Sequence, residues 1–184
     1  MLAANNLLKP SDGRPVAVPT QDMVLGSYYL TLDKDGEIGE GKVFRDMDEA
    51  MAAYDAKVIS LHAKIKVRRT VDFHGTPVTG LVETTMGRMI FNRPIPQDLG
   101  YVDRSTPEEA LKFEIDFLVG KKQLGKIIDR CIKVHGTERT ASVLDDVKAQ
   151  GYKYSTISGI TVAVCDATIP KEKAEMLKAA DAEV

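Results

Sequence analysis

The sequence has few of the residues that mark several common classes of protein. It contains no tryptophan, and aromatic residues make up only 6% of its 184 positions. So low a content disfavours a platform on which single-stranded nucleic acid bases stack. Neither charge is in excess, because 25 basic residues face 27 acidic ones for a formal net charge of −2. A free-standing nucleic-acid-binding protein needs a basic excess to meet phosphates, so the composition disfavours that class too.

Cysteine is also scarce. Cys131 and Cys165 lie far apart, and neither has a second Cys or His at the spacing of a metal site. The sequence therefore predicts neither a disulfide scaffold nor a zinc finger. Free cysteines are usually buried, so both are expected to be reduced residues of the core.

Long hydrophobic runs are absent. No stretch is long and apolar enough for a membrane span or for the central region of a signal peptide. Apolar residues still make up 43% of the chain, which is enough for a hydrophobic core at this length. We therefore expect a soluble, globular, cytoplasmic protein.

Residues 58–69 carry the clearest strand pattern. Apolar and polar side chains alternate with a period of two, which places one set on the inner face of a sheet. The expected inner residues are Ile59, Leu61, Ala63, Ile65 and Val67. A turn at 74–77 and a second strand at 78–85 complete a predicted hairpin. A similar alternation predicts a further strand over 112–118.

Helices are predicted where capping residues precede apolar residues at helical spacing. Their ranges are 47–55, 86–92, one turn at 106–109, 121–135, 137–150 and 170–182. Asp46 is the expected cap of the first helix, and Thr84 or Thr85 that of the second. Gly136 and Gly151 are expected to end the two long helices, which should pack antiparallel because the turn between them is short.

These elements define an α+β fold: a small mixed sheet or hairpin with several short to medium helices in a single domain. Three consecutive parts are distinguished within residues 1–184. Residues 1–32 are punctuated by proline and glycine, residues 33–119 contain an acidic stretch and the strands, and residues 120–184 are mainly helical.

The motifs of several self-contained catalytic sites are absent, including the glycine-rich phosphate loops and the His-Glu-x-x-His zinc motif. The positions predicted for His62, His74 and His135 are a strand's polar face, a turn and a helix end, which are more typical of solvated residues than of catalysts. Asp145 and Asp146 are adjacent on a helix and do not face the same way, so they too are expected to be solvated. The residues alone predict no catalytic residue, metal ligand or cofactor site.

Two basic clusters remain as candidates for binding. The first lines the polar side of the predicted strand and consists of Lys64, Lys66, Arg68 and Arg69. The second crowds the start of a helix and consists of Lys121, Lys122 and Lys126. A solvated surface is one interpretation of both clusters. Contact with phosphate is the other, and the second cluster hints at an anionic partner because the helix dipole disfavours cations at that end.

Several short motifs follow one another in a fixed order along the chain. Residues 5–26 read Asn-Asn-Leu-Leu, a turn from Pro10 to Gly13, and then Pro-Thr-Gln-Asp-Met-Val-Leu-Gly. Further matching motifs lie at residues 28–31, 39–41, 53–55, 61–68, 84–88, 120–122, 158–159 and 169–170. This ordered set, which covers essentially the whole chain, resembles the pore domain of the β′ subunit of bacterial DNA-directed RNA polymerase.

The resemblance implies that the chain is a fragment of β′, cut from a larger subunit. In that family the pore domain follows the aspartate-rich loop that holds the catalytic Mg²⁺, and the loop is not in this sequence. The domain lines the secondary channel, which serves nucleotide entry, extrusion of the RNA 3′ end and transcript-cleavage factors. Residues 1–32 would be the segment nearest the active site.

The resemblance also implies roles for individual residues. Gln21 matches the residue that faces the RNA 3′ end, where an amide suits because it donates and accepts hydrogen bonds without adding charge. A loop-capping amide is the alternative interpretation. Lys121 and Lys122 match a basic pair on the pore wall. Arg88 lies in a shared motif, and a structural role stays open for it.

The implied activity belongs to the whole enzyme, a nucleotidyltransferase that uses Mg²⁺, and the isolated fragment is expected to be inactive and to hold no cofactor. The implied partners are the rest of β′, the other polymerase subunits, nucleoside triphosphates, the RNA 3′ end and cleavage factors, with no membrane contact. An independent adaptor or binding module with the same fold is the alternative hypothesis.

Some family features do not carry over. Glu138 and Ala149 stand where certain proteobacterial enzymes use Lys and Tyr to bind the alarmone ppGpp, and only Asp145 agrees, so no such site is expected. Ile157 and Cys165 also differ from the Arg and Asp common at their positions.

Overall fold

The computed structural model describes residues 6–183 of the chain. Within this range the chain forms six α-helices and a three-stranded sheet, which confirms the α+β prediction. The elements are α1 Asp22–Thr31, β1 Val43–Phe44, α2 Met47–Asp55, β2 Lys64–Phe73, β3 Thr76–Thr85, α3 Met86–Asn92, α4 Pro107–Ala110, α5 Lys121–Ser158 and α6 Lys173–Glu183. No described helix is both long and apolar enough to cross a membrane.

The sheet has the order β1-β2-β3, with β1 parallel and β3 antiparallel to β2. The hairpin is confirmed, and its turn consists of His74 and Gly75, both with positive φ. All five residues predicted to face inward are buried. The strand itself begins later than predicted, at Lys64, because residues 58–63 run through turns.

The two short helices and their caps follow the predictions. Asp46 Oδ1 accepts from Glu49 N at 2.8 Å at the start of α2, and Thr85 Oγ1 accepts from Arg88 N at 3.1 Å at the start of α3. The carboxylate of Glu49 reaches back to the amide of Arg45, one residue before the cap. Each side-chain oxygen satisfies an amide that the helix itself leaves unpaired.

The predicted strand over 112–118 is wrong, although the single helical turn before it is confirmed as α4. The segment is extended, but side chains take the place of a neighbouring strand. The amide of Asn92 bonds both backbone groups of Ile115, at 2.9 and 2.7 Å. Gln97 Oε1 accepts from Glu114 N and Thr31 Oγ1 accepts from Val119 N. Burial does not follow the alternation either, because Glu114, which the pattern places on the polar side, is buried and pairs with Arg104 at 3.0 Å.

Helix α5 combines the two predicted long helices. Gly136, with φ 74° and ψ −177°, breaks the helical geometry as predicted. Ala141 and Leu144 pack against Ile128 and Ile132 from the other side of this break, as a reversal of the chain there requires.

The prediction that Gly151 ends the second helix is wrong, since α5 continues to Ser158 and ends before Gly159, which has φ 58°. Gly151 instead marks a contact with α1. A Cβ on Gly151 would lie 2.7 Å from Cα of Met23, and a Cβ on Gly26 would lie 2.7 Å from the carbonyl carbon of Gly151. The two backbones touch because neither glycine has a side chain.

Residues 159–182 lie on the surface and are exposed throughout. A 3-10 turn at Val164–Asp166 precedes α6, which begins at Lys173 rather than at the predicted Pro170. The core lies instead among α1, α3, the inner face of the sheet and the buried face of α5.

The contact between α1 and α5 generates a stability prediction. Gly26→Ala is expected to lower the free energy of unfolding by about 3 kcal/mol, because a methyl group would overlap the backbone of Gly151. The matched control is Gly125→Ala in α5, where a Cβ meets nothing within 4 Å. That substitution should raise stability by about 0.5–1 kcal/mol, since alanine favours helix. Urea denaturation of both variants measures the difference, and equal midpoints would contradict the packing.

Candidate functional site

Gln21 begins helix α1 and presents its side chain to solvent. Its φ of 50° lies in the left-handed region, and its backbone carbonyl accepts from Val24 N and Leu25 N at 3.0 and 3.1 Å. Among residues 6–183 the side-chain amide makes no helix-capping bond, which counts against the loop-capping interpretation. Within this described part of the chain, the start of α1 therefore presents an amide that can donate to and accept from an outside group.

Lys121 and Lys122 begin helix α5 and are both exposed. The start of α5 is attached to the end of α1, because Val119 N donates to Thr31 Oγ1 at 2.9 Å. Gln21 and the lysine pair therefore lie near opposite ends of α1, which spans roughly 15 Å for ten residues. The structure places the three predicted site residues on one framework without bringing them into a single pocket.

A groove with basic walls lies beside the lysine pair, between the turn at residues 9–15 and the first part of α5. Its volume is about 680 Å³. We call it the basic groove; its charged lining residues are Lys9, Asp12, Arg14, Lys122, Lys126, Asp129 and Lys133. Five cations against two carboxylates give this surface the positive charge that the whole chain lacks.

The carboxylates of the basic groove offset two of its cations. Asp129 pairs with Lys133 at 2.6 Å, and Asp12 lies 3.8 Å from Arg14. Lys9, Lys122 and Lys126 form no ion pair with any residue in 6–183. Three uncompensated ammonium groups around one groove favour a bound anion.

Sequence reasoning found only the part of this groove that lies on α5. Lys9 and Arg14 are far from α5 in sequence, and their turn was predicted for its shape alone. The apolar residue Leu7 is the signal that could have placed the turn next to α5, because it is buried and packs with Ile128 and Ile132 of that helix. That contact holds the turn against the helix.

Two of the four residues in the other basic cluster hold other parts of the fold. Lys64 pairs with Asp35 at 2.5 Å. Arg69 donates to the carbonyls of Leu111 and Lys112 at 2.7 and 3.0 Å. Lys66 and Arg68 are exposed on the outer face of the sheet, so half of the cluster remains as solvated surface.

Arg88 connects three segments of the fold. It donates to the carbonyl of Thr31 at 3.2 Å and pairs with Asp33 and Asp116, each at 3.3 Å. Burial raises the pKa of Asp116, and the neighbouring Arg88 opposes that rise. These contacts assign Arg88 a structural role.

The cysteines differ from each other. Cys131 is a buried free thiol, as predicted, and burial raises its pKa. Cys165 is exposed, so its predicted core position is wrong. It lies in the segment after α5, whose residues 159–182 are all exposed.

Two of the three histidines are more buried than predicted and have hydrogen-bond partners. His74 is exposed in the hairpin turn, as expected. His135 is half-buried and its Nε2 lies 2.7 Å from Asp98 Oδ1. His62 is only 5% exposed, and its Nε2 lies 2.8 Å from the carbonyl of Tyr29, to which it donates. The predicted solvated position of His62 is therefore wrong: the turn before β2 directs its ring under α1.

Within residues 6–183 no group of three or more His, Cys, Asp or Glu side chains is placed to hold a metal ion. The described residues therefore do not fit a Mg²⁺ site.

The fold and these surfaces belong to a known class of domain. Residues 6–167 match the family model described as RNA polymerase Rpb1, domain 3, and the chain belongs to this family.

Curated relatives identify the branch of the family. The chain is 60% identical over its full 184 residues to DNA-directed RNA polymerase subunit beta' of Caldicellulosiruptor saccharolyticus, and 60% identical over 98% of its length to that of Clostridium novyi. The same subunit of Acetivibrio thermocellus is 60% identical over 97% of the chain. The chain spans 15–16% of the length of these relatives. The resemblance to bacterial β′ is confirmed.

The position of His62 generates a pH prediction. Burial lowers the pKa of His62, with the ammonium of Lys34 acting in the same direction and Glu37 and the Tyr29 carbonyl opposing it. Below about pH 6.5 the unfolded chain therefore takes up a proton that the folded chain resists. The free energy of unfolding should therefore decrease as the pH is lowered below about 6.5, by at most about 1.4 kcal/mol per pH unit for this group.

Denaturation between pH 5 and 8 measures this slope for the parent chain and for two variants. His62→Gln should flatten the slope below about pH 6.5. The control His74→Asn changes an exposed histidine and should leave the slope as it is. Parallel pH profiles for the parent chain and His62→Gln would contradict the assignment.

Proposed function

We propose that this chain serves as the pore domain of a bacterial RNA polymerase β′ subunit and forms part of the wall of the secondary channel. The observation that carries the proposal is the 60% identity, over the full chain, to one stretch of that subunit. The activity served is DNA-directed RNA synthesis by the whole enzyme. The division into segments 1–32, 33–119 and 120–184 remains a prediction.

The charge distribution supports a role along a path for phosphates. Lys121 and Lys122 lie at the start of α5, and the basic groove continues from Lys122 toward Lys133. Exposed cations attract nucleoside triphosphates and the RNA backbone at long range, and they raise the local concentration of both. The unpaired amide of Gln21 is suited to contact the RNA 3′ end.

The partners proposed for the domain are the rest of β′, the other polymerase subunits, nucleoside triphosphates, the RNA 3′ end and transcript-cleavage factors. The setting is the cytoplasm. The Mg²⁺ of the whole enzyme would be held by another part of β′, since the described residues offer no cluster of ligands for it. This chain would shape access to that centre and hold no reacting group.

Gln21 provides a test in the complete polymerase. Gln21→Ala should change the rates of backtracking or transcript cleavage about threefold to tenfold, the equivalent of one lost hydrogen bond, and leave promoter binding nearly unchanged. Stalled elongation complexes resolved on gels measure these rates. Gln123→Ala, an exposed glutamine near the other end of α1, is the matched control. Pausing and cleavage rates equal to those of the parent enzyme would count against the role.

A second test uses the chain alone. With template, labelled nucleotide and Mg²⁺, the 184-residue chain should incorporate no label, because its residues 6–183 offer no cluster of ligands for the catalytic metal. The complete polymerase in the same buffer is the positive control. Incorporation by the chain alone would overturn the proposal.

A further inference from the structure

Strand β3 forms a free edge of the sheet. It pairs with β2 over ten residue pairs, from Thr76 to Thr85, and within residues 6–183 the order β1-β2-β3 leaves its other side without a strand. Exposed edges of this length usually invite pairing with another chain, and proteins often block them with lysine, proline or a covering segment. Pro77, near the turn, is the one such residue within β3.

The register shows which backbone groups point away from β2. Lys66 N donates to Lys42 O on the β1 side, so Lys66 faces away from β3. Its register partner Glu83 must then face away from β2, because both residues of such a pair point outward. The same alternation turns Leu81 and Thr79 outward.

These outward groups have no partner within the described chain. The amides and carbonyls of Thr79, Leu81 and Glu83 make no backbone hydrogen bond to residues 6–183 outside the hairpin, and no side chain bonds to them. Leu81 is 57% exposed. Three donors and three acceptors therefore face a space that can hold an extended chain.

A groove of about 610 Å³ lies along this edge, between β3 and residues 107–116. Six consecutive residues, 78–83, line it, so it follows the edge for roughly 20 Å. Leu111 forms its floor opposite Gly80, where a Cβ would lie 2.5 Å from the leucine Cδ1. A strand added here would gain backbone bonds on one side and an apolar floor beneath it.

The acidic lining of the groove beside β3 indicates which kind of chain would bind there. Three carboxylates line it, from Glu83, Glu108 and Asp116, against the single ammonium of Lys112. Asp116 is engaged by Arg88, while Glu83 and Glu108 form no ion pair within residues 6–183. A second copy of the chain would bring two acidic linings together, so a basic segment fits better.

We propose that the free edge of β3 docks an extended, basic segment of another polypeptide, which adds to the sheet as a fourth strand. Backbone hydrogen bonds to Thr79, Leu81 and Glu83 supply affinity, as in other cases of strand addition. The apolar floor and the two unpaired carboxylates supply the preference for alternating apolar and basic side chains.

The test uses the 184-residue chain and a synthetic peptide of alternating lysine and valine, seven residues long. Peptide binding should slow hydrogen exchange at the amides of Thr79, Leu81 and Glu83, measured by NMR. A peptide with glutamate in place of lysine, and a lysine peptide N-methylated along one edge, should give no protection. Protection by either of these, or none by the lysine peptide, overturns the proposal.

Three chain variants separate the backbone contribution from the charge. Leu81→Pro removes an outward donor and should abolish protection, while Leu81→Thr keeps the donor and should retain it. The double variant Glu83→Gln with Glu108→Gln should weaken peptide binding about fivefold at low salt. The amides of Gly80 and Val82, which face β2, report in each case that the hairpin is intact.

Two further outcomes also decide against the proposal. Unchanged peptide affinity in Leu81→Pro with an intact hairpin would place the peptide elsewhere on the acidic surface. A dimer of the parent chain that Leu81→Pro dissociates, seen by sedimentation, would make a second copy the occupant.

Discussion

Helix α1 touches its two neighbours backbone to backbone, and the rest of the structure depends on that closeness. On one side Gly26 meets Gly151 of α5, and on the other a Cβ at Gly87 of α3 would lie 3.0 Å from the carbonyl carbon of Leu30. Without side chains between them, the helices leave α1 almost no freedom to shift or rotate. The positions of Gln21 and of the pair Lys121 and Lys122 depend on this packing. Gln21 lies at the start of α1, and the segment before Lys121 is bonded to Thr31 at the end of α1.

The segment between α4 and α5 shows a second consequence of close packing. Its alternating sequence predicts a strand, yet its backbone is satisfied by the side chains of Asn92, Gln97 and Thr31. An unpaired buried backbone group costs about 1–3 kcal/mol, so these side chains are as necessary as a ladder would be. They also hold the segment beside the hairpin at the distance that opens a groove along the edge of β3.

Local signals predicted the hairpin and most helices after residue 46 but not α1, and contacts distant in sequence account for several of the other misses. The caps at Asp46 and Thr85 and the turn at His74 depend on neighbouring residues alone, so they could be predicted. Gly151 has the same local appearance as a helix terminator, and only its contact with Met23 distinguishes the two roles. The basic groove could not be predicted in full, because it depends on the packing of Leu7 against α5, and no sequence periodicity indicates that contact.

The near-zero net charge is the sum of an acidic segment and a basic segment whose side chains have different roles. Residues 33–55 carry eight acidic and three basic residues, and residues 121–139 carry six basic and two acidic ones. Several of the acids act within the fold: Asp33 holds Arg88, Asp35 holds Lys64, and Asp46 caps a helix. Lys122 and Lys126 have no such partner in residues 6–183.

A carboxylate paired with a cation contributes little field beyond its partner, whereas an unpaired exposed lysine contributes in full. The total charge therefore describes the isolated chain in bulk solution. It does not describe the basic groove, where an approaching phosphate meets uncompensated ammonium groups first.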